Sequence, residues 1–410
     1  MVKRIFTFFL LILILLSCGQ KGKKAKVSKK ENDKFSIPNS YFSDRTIFPE
    51  LSESYIAAKN KVIGDFFFQS LDTLGFNGSF LVAKNGQIIY ERYQGYSNYA
   101  KKRKINRYTG LHLASVGKVL TATAIFRLID TGKLELDQTV SSILKKFPYP
   151  EITVRMLLNH RSGLSKYANF TEPENIWGRT KTLYNSDILK ILAKKKIPLD
   201  FQPDSKFAYC NTNYAILASI VETITKHSFP KAMKTLVFDP LGMKNSFVFQ
   251  LRKDKNKVSQ SFYSDYRIVP FDHLDAVYGD KNIYSTPRDL LRYDLAMYND
   301  DFISAELKKE IFKGYSYEKA GIKNYGLGIR LKEWEDGQHI FYHNGWWHGN
   351  TSCYVTLKKE KVTIIALSNR YTKKVYDAIR ISSLFGDYPY QLKEEQIVKT
   401  KTEEEIIGIE

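Results

Sequence analysis

Apolar residues recur at three- and four-residue spacing over residues 119–129, the period of a helix, and Gly132 stands where that helix would stop. The same period runs over 214–224 and, on one face only, over 54–74. Short apolar runs bounded by turn residues predict strands instead. Two of them, 79–83 and 87–91, flank Lys84-Asn85-Gly86, and Asn-Gly between apolar runs is a hairpin signal. Four more lie toward the other end, over 325–331, 338–343 after Asp336-Gly337, 352–357 and 362–368, with a last helix over 373–385. Between these groups, from 111 to 320, helices and long loops dominate. Thr153 opens a helix that closes at His160-Arg161-Ser162-Gly163, where Gly163 suits a left-handed cap. Thr286-Pro287-Arg288-Asp289 has the order of an N-cap, a first-turn proline and a capping acid. Strands at both ends around a helical middle predict an α+β fold. One antiparallel sheet is built from both termini, flanked by terminal helices, and an inserted, mostly helical region leaves the active site between the two parts.

The ends of the chain follow a different pattern. Lys3 and Arg4 precede an apolar run over 5–16 broken only by Thr7, the length of a secretion signal and short of the about 20 residues that span a membrane. Leu15-Leu16-Ser17-Cys18-Gly19 then resembles a bacterial lipobox, which implies lipidation of Cys18 after cleavage. The expected organisation is a signal peptide over 1–17, a lipidated N-terminus and basic linker over 18–45, a folded domain over 46–392 and a charged tail over 393–410. That organisation places the protein in the cell envelope as an exported, membrane-anchored lipoprotein.

Charge adds little to this picture. Residues 1–34 carry a net +7 of the formal +20, and the remainder reads as a compositional lean toward lysine. With an export signal and no recognisable reader motif, nucleic acid is not an expected partner. If Cys18 is lipidated, only Cys210 and Cys353 could pair, and no cysteine or histidine spacing suggests a metal. The composition leaves the oligomeric state open.

The candidate chemistry begins at Ala114-Ser115-Val116-Gly117-Lys118, where a hydroxyl and an amine sit three residues apart at the start of the 119–129 helix and so share a face. A serine hydroxyl needs a base within hydrogen-bond reach, and a lysine one turn along, stripped of water, can serve. The helix N-terminus supplies backbone N–H groups where an oxyanion would form. Ser-x-x-Lys alone recurs by chance, but two further stretches accompany it. Tyr209-Cys210-Asn211 follows the turn Gln202-Pro203-Asp204-Ser205 and precedes the 214–224 helix, and His343-Asn344-Gly345 ends the 338–343 strand ahead of Trp346 and Trp347.

In this order the three stretches resemble the signature of the serine beta-lactamase and penicillin-binding superfamily. The Tyr-x-Asn form is similar to the branch holding class C beta-lactamases, D-alanyl-D-alanine carboxypeptidases and esterases. Leu157-Leu158-Asn159-His160-Arg161-Ser162-Gly163-Leu164, Asp239-Pro240-Leu241-Gly242-Met243 and Tyr284-Ser285-Thr286-Pro287-Arg288-Asp289-Leu290 extend the resemblance to roughly residues 50–390. It implies that Ser115 forms an acyl-enzyme, that Lys118 and Tyr209 share the proton transfers, and that Asn211 positions the substrate or the lysine. It places Asn344 and Gly345 along the substrate and makes the N–H groups of Ser115 and Trp346 the oxyanion donors. His343 departs from the lysine of many beta-lactamases. As a group with an ordinary pKa near 6.5 it is expected to face the cleft and read a substrate carboxylate only when protonated. His160 is expected to hold the loop after its helix, and His348 to line the cleft mouth or lie exposed.

The function implied is a serine hydrolase without metal or organic cofactor, acting on D-amino-acid peptides of the cell-wall type or small esters. Two alternatives stand beside it. One is a sensor or scaffold that binds beta-lactams or muropeptides without turnover, which the complete set Ser115, Lys118, Tyr209 and Asn211 argues against. The other is a beta-lactamase, disfavoured by His343 and by the lack of a carboxylate assignable to deacylation.

Overall fold

A computed structural model describes residues 48–392 except 74. The expected signal peptide over 1–17, the lipidated N-terminus at Cys18 with its basic linker over 18–45, and the expected tail over 393–410 lie outside the described residues. The first helix, α1 (Glu53–Phe66), is opened by Ser52, whose Oγ accepts from the Tyr55 amide, and buries Val62, Ile63 and Phe66. It was expected to reach residue 74. It instead relaxes into wider π-type turns over Phe67–Leu71, which set Phe67 and Leu71 into the same core.

Strands β1 (Gly78–Lys84) and β2 (Gln87–Gln94) form the expected hairpin. Asn85 and Gly86 both take positive φ, 51° and 75°, as a two-residue turn matched to strand twist requires. The chain then enters the helical region through a 3-10 turn at Ala114–Val116 and the helix α2 (Gly117–Asp130), and it continues through α3 (Val154–Leu158), α4 (Asn211–Thr225) and α5 (Pro287–Ala296). Helices α2 and α4 pack on each other and are buried on nearly every side, which is why their sequences are apolar all round. Thr286 caps α5 by accepting from the Asp289 amide, as expected. The Asp289 carboxylate, expected to cap its own helix, instead accepts from the Asn245 amide and Ser246 Oγ.

The sheet is completed by β3 (Lys323–Tyr325), β4 (Arg330–Glu333), β5 (His339–Trp347), β6 (Asn350–Leu357) and β7 (Val362–Ser368). Its order is β2-β1-β7-β6-β5-β4-β3, antiparallel throughout, so strands from both ends of the chain meet at β1 and β7. Phe80, Val355 and Ile364 face α1 and the C-terminal 3-10 turns of Lys374–Leu384, which bury Val375, Ala378 and Ile381. The opposite face carries Tyr354 and Thr363, whose hydroxyls both donate to Asp294 of α5. With both faces covered, β6 and β7 are buried at every position.

Two strand expectations change. The run 325–331 is a hairpin rather than one strand, because residues 326–329 turn back so that Tyr325 pairs with Arg330. Gly328 has φ +80°, and a Cβ there would lie 2.5 Å from that of Ala122, so the apolar character of the turn comes from its packing on α2. Strand β5 does not stop at His343 but runs through Gly345 to Trp347, paired with β6. Cys210 and Cys353 are both free and buried.

Candidate active site

The turn that carries Ser115 is built under strain. Ala114 has φ +48°, a conformation that costs a non-glycine residue about 1–2 kcal/mol. Its amide donates to His112 Nδ1 at 2.9 Å, and His112 Nε2 is 3.0 Å from Asn282 Oδ1. His112 therefore carries its proton on Nε2, and burial lowers its pKa to about 4, which keeps the acceptor nitrogen available at neutral pH. Asn282 also sits at positive φ, 67°, and its amide nitrogen donates to the carbonyls of Asp275 and Val277.

Lys118 is fully buried one turn along. Its Nζ lies 3.0 Å from Ser115 Oγ and 2.6 Å from the Asp280 carbonyl. That carbonyl is fixed from both sides. Thr121 of α2 donates to the preceding Gly279 carbonyl, and Gly279, at φ +94°, sits where any Cβ would meet the Tyr214 carbonyl at 2.3 Å. The Asp280 carboxylate accepts from Tyr167 Oη at 2.7 Å, and Tyr167 Oη accepts from the buried Lys281 at 2.6 Å. Burial lowers the pKa of Lys281 against the opposing pull of Asp280 and Asp275, and burial with the Asp280 charge raises that of Tyr167. Residues 279–282 thus hold Lys118 at one end and, through Asn282 and His112, the Ser115 turn at the other.

The Tyr209 ring lies 5.1 Å from Lys118 Nζ and 4.9 Å from the Arg330 guanidinium. His160 packs on it with ring centroids 4.4 Å apart. His160 takes φ +61° at the end of α3, and its Nδ1 accepts from the Cys210 amide, so the contact it makes is with the distant loop that bears Tyr209. Burial, reinforced by Lys118 and Arg330, drives its pKa well below the usual value, so it is neutral. Among the described residues, Tyr209 Oη, Asn211 Oδ1 and Asn344 Oδ1 are buried without a protein hydrogen-bond partner. Such atoms are costly unless something else engages them.

Gly345 brings β5 against the Ser115 turn. A Cβ at 345 would lie 2.9 Å from Ser115 N and 2.5 Å from the Leu113 carbonyl, so only glycine lets the Ser115 amide stand beside the Gly345–Trp346 peptide. Tyr376 Oη and Ser352 Oγ fasten the two sides by donating to the Gly345 and Leu113 carbonyls. Trp346 is 62% exposed, its indole N–H anchored on the His348 carbonyl. His348 is neither free nor simply exposed. Its Nε2 lies 2.9 Å from Asp275 Oδ2, and Trp347 Nε1 donates to the same carboxylate, which braces the turn after β5. Asp272, Asp275 and His348 are the residues here whose ligand atoms come close enough to share a metal ion. The Asp275 carboxylate accepts from His348 Nε2, Trp347 Nε1 and the Asp272 amide.

His343 corrects the sequence reading. It is completely buried, with Nδ1 donating to the Asn344 carbonyl at 2.8 Å and Nε2 3.2 Å from Tyr325 Oη. Burial, then the Arg330 and Lys118 charges, hold its pKa well below 6.5. A neutral ring with both nitrogens occupied cannot serve as a titrating reader of carboxylates. The reason is that β5 does not end at His343 but continues past it, paired with β6, and the ring points to a fully buried position.

A family model described as Beta-lactamase matches residues 69–384. The chain belongs to the Beta-lactamase family. As a member it is a serine hydrolase. Penicillin-binding protein 4* of Bacillus subtilis is 31% identical over 353 residues, 80% of this chain and 78% of that protein. A D-aminopeptidase of Cereibacter sphaeroides is 25% identical over 306 residues, 70% of this chain but only 55% of that protein. In fold, the crystal structure of a penicillin-binding protein from Bacillus halodurans superposes with a TM-score of 0.68 at 21% identity, covering 82% of this chain and all of that one. Within this Beta-lactamase family chain, the sequence reading missed Arg330, His112 and residues 279–282. A lone arginine inside an apolar run was a signal for the first. Nothing periodic marks the others, because their roles depend on contacts distant in sequence.

Proposed function

We propose that Ser115 is the nucleophile of an acyl-transfer hydrolysis on D-amino-acid peptides of the cell-wall type or small esters. The observation that carries this reading is the 3.0 Å contact between Ser115 Oγ and the buried Lys118 Nζ, beside a Tyr209 hydroxyl without a protein partner. Ser115 Oγ attacks the carbonyl carbon as its proton passes to the Lys118–Tyr209 pair. The oxyanion is received by the N–H groups of Ser115 and Trp346, a pair whose single donors are each worth roughly 3 kcal/mol. The proton returns to the departing amine or alcohol, and water then cleaves the acyl-enzyme through the same groups in reverse. Asn211 and Asn344 offer their free amide oxygens to the substrate's N–H groups. With His343 neutral, Arg330 is the fixed cation nearest Tyr209 available to a substrate carboxylate.

Support for D-amino-acid substrates comes from the kind of relatives the chain has, a penicillin-binding protein and a D-aminopeptidase. The cell envelope as the place of action, with Cys18 as the lipid anchor, is supported by the apolar run over 5–16 and the cysteine that follows it. Among the described residues no helix is long and apolar enough to cross a membrane. The test is a turnover panel on the purified domain from residue 40, comparing a D-alanyl-D-alanine peptide, a p-nitrophenyl ester and nitrocefin, with Ser115→Ala as control. Turnover of the peptide or ester lost in the alanine variant supports the reading. Nitrocefin as the best substrate would move it to a beta-lactamase, and binding without turnover of any of the three to a sensor.

A further inference from the structure

Beside Tyr209, on the side of Arg330, a cleft of about 970 Å³ opens between residues 206–208 and the segment 316–325. We propose that this cleft is an anion subsite that receives a carboxylate- or phosphate-bearing portion of the substrate next to the scissile bond. The inference rests on the hydrolase reading and adds the substrate's charge to it.

The first argument is charge. Lys206, Lys319, Lys323 and Arg330 line the cleft against a single acid, Glu318. Glu318 is already paired with the Arg161 guanidinium, which also binds Asp204. Among the described residues no carboxylate forms an ion pair with any of the four cations, so the lining carries an uncompensated positive charge. The second argument is shape. Phe207 and Tyr325 present rings 5.5 Å apart as a wall, and the volume lies in the range of sites that enclose small molecules. Burial holds the Tyr325 hydroxyl protonated, so the wall is neutral and adds no repulsion.

The third argument is position. Arg330 stands over both Tyr325 and Tyr209, at 5.6 and 4.9 Å, and the Tyr209 ring also faces the Lys118 amine in contact with Ser115. An anion in the cleft is therefore one aromatic ring away from the reacting pair, close enough to belong to the same substrate molecule. The positive field is felt locally. Arg330 helps depress the pKa of both His160 and His343. Cations gathered in a concave site raise the local concentration of an anionic ligand, an effect that salt removes.

The experiment uses three substrates with one scissile D-alanyl ester and different neighbouring groups: neutral, carboxylate-bearing and phosphate-bearing. Specific activity is measured at 20 and 300 mM NaCl for the original domain and for the double variant Lys319→Glu/Lys323→Glu. Both lysines are exposed, so the variant is expected to fold. The expected result is a preference of roughly 10-fold or more for at least one anionic substrate at low salt, falling at high salt. In the variant that preference disappears through KM, with the neutral ester unchanged in kcat and KM. A carboxylate preference identifies peptide acids as the source, a phosphate preference identifies a phosphate polymer, and equal preference supports their shared chemistry. No anionic preference, or one that survives charge reversal and salt, overturns the subsite while leaving the hydrolase intact. Failure of the original domain to turn over the neutral ester would instead count against the hydrolase reading, and binding of the anionic esters at low salt, lost in the double variant, would then still decide the subsite.

Discussion

Gly345 and Ser115 are in limiting contact, since a single methyl group on residue 345 would stand 2.9 Å from the Ser115 amide nitrogen. The approach brings together two distant parts of the chain, the turn before α2 and β5, whose N–H groups at Ser115 and Trp346 are the proposed oxyanion donors. Gly345→Ala must therefore separate the strand from the turn. The expected outcome is a kcat reduced about 10²- to 10³-fold with a smaller change in KM, the signature of a weakened oxyanion site. Circular dichroism and a thermal melt on the same sample check that the fold survives.

The Ser115–Lys118 contact predicts covalent chemistry at one residue. A fluorophosphonate or a penicillin is expected to add its mass to the peptide bearing Ser115, and Ser115→Ala to abolish the adduct. Lys118→Arg keeps a positive charge but gives up the amine, and it is expected to slow labelling by at least 10²-fold at neutral pH. Labelling at an unchanged rate in the arginine variant would remove Lys118 from the proton transfer.

The part of this site legible in the sequence is the part set by local periodicity. Ser115 and Lys118 share a face because a helix repeats every 3.6 residues, and Asn85-Gly86 makes a tight hairpin because both positions tolerate positive φ. Strands at both ends of the chain were enough to predict the sheet. The features that were not legible depend on tertiary burial. Arg330 lies in an apolar run whose pattern reflects the packing of a turn on α2, and His343 reads as a strand end until β6 is seen to pair beyond it. Asp280 contributes through its main-chain carbonyl, which no side-chain pattern can reveal.

Asn282 tests the scaffold that sequence reading did not find. Its φ of +67° suits glycine, so Asn282→Gly removes the amide contacts to Asp275, Val277 and His112 without straining the backbone. The expected cost is about 1–3 kcal/mol of stability, read from the urea midpoint, with kcat falling because the Ala114 turn loses its support. Full activity in a destabilised variant would show that the Ser115 turn holds itself.

Buried neutral histidines make the fold acid-sensitive. His112, with its folded pKa lowered to about 4, binds its proton later than the unfolded chain does as the pH falls. His160 and His343 are shifted in the same direction. The unfolded state therefore holds more protons below pH 6.5, and each histidine removes about 1.4 kcal/mol of stability per pH unit between there and its folded pKa. The stability contributed is complete above pH 6.5 and is lost on acidification. Denaturation midpoints at pH 7.5, 6.0 and 5.0 check it, and His112→Gln should reduce the slope.

Lipidation of Cys18 is expected from the small residue and apolar run that precede it. Metabolic labelling with a fatty-acid analogue should mark the full chain and not Cys18→Ser. Equal labelling of both would reject the anchor.

The burial of His343 decides how this enzyme responds to pH with charged substrates. A titrating imidazole at that place would make the preference for a carboxylate substrate over an uncharged ester fall between pH 6 and 8. With the ring buried and neutral, and with Arg330 as a permanent cation nearby, that ratio is expected to stay flat over the range. Arg330→Gln should lower the ratio at every pH without giving it a slope. His343→Lys sharpens the distinction. A lysine there would put an ammonium into a fully buried site already facing Arg330 and Lys118, in place of a ring that accepts from Tyr325. Desolvation and two like charges oppose it, so the variant is expected to lose several kcal/mol of stability or deprotonate, and not to gain carboxylate affinity. His343→Gln, which can still accept from the tyrosine hydroxyl, should fold and retain most activity at pH 7. A ratio that steps down near pH 6.5 in the original enzyme, together with a well-folded His343→Lys that favours carboxylates, would return the charge to residue 343.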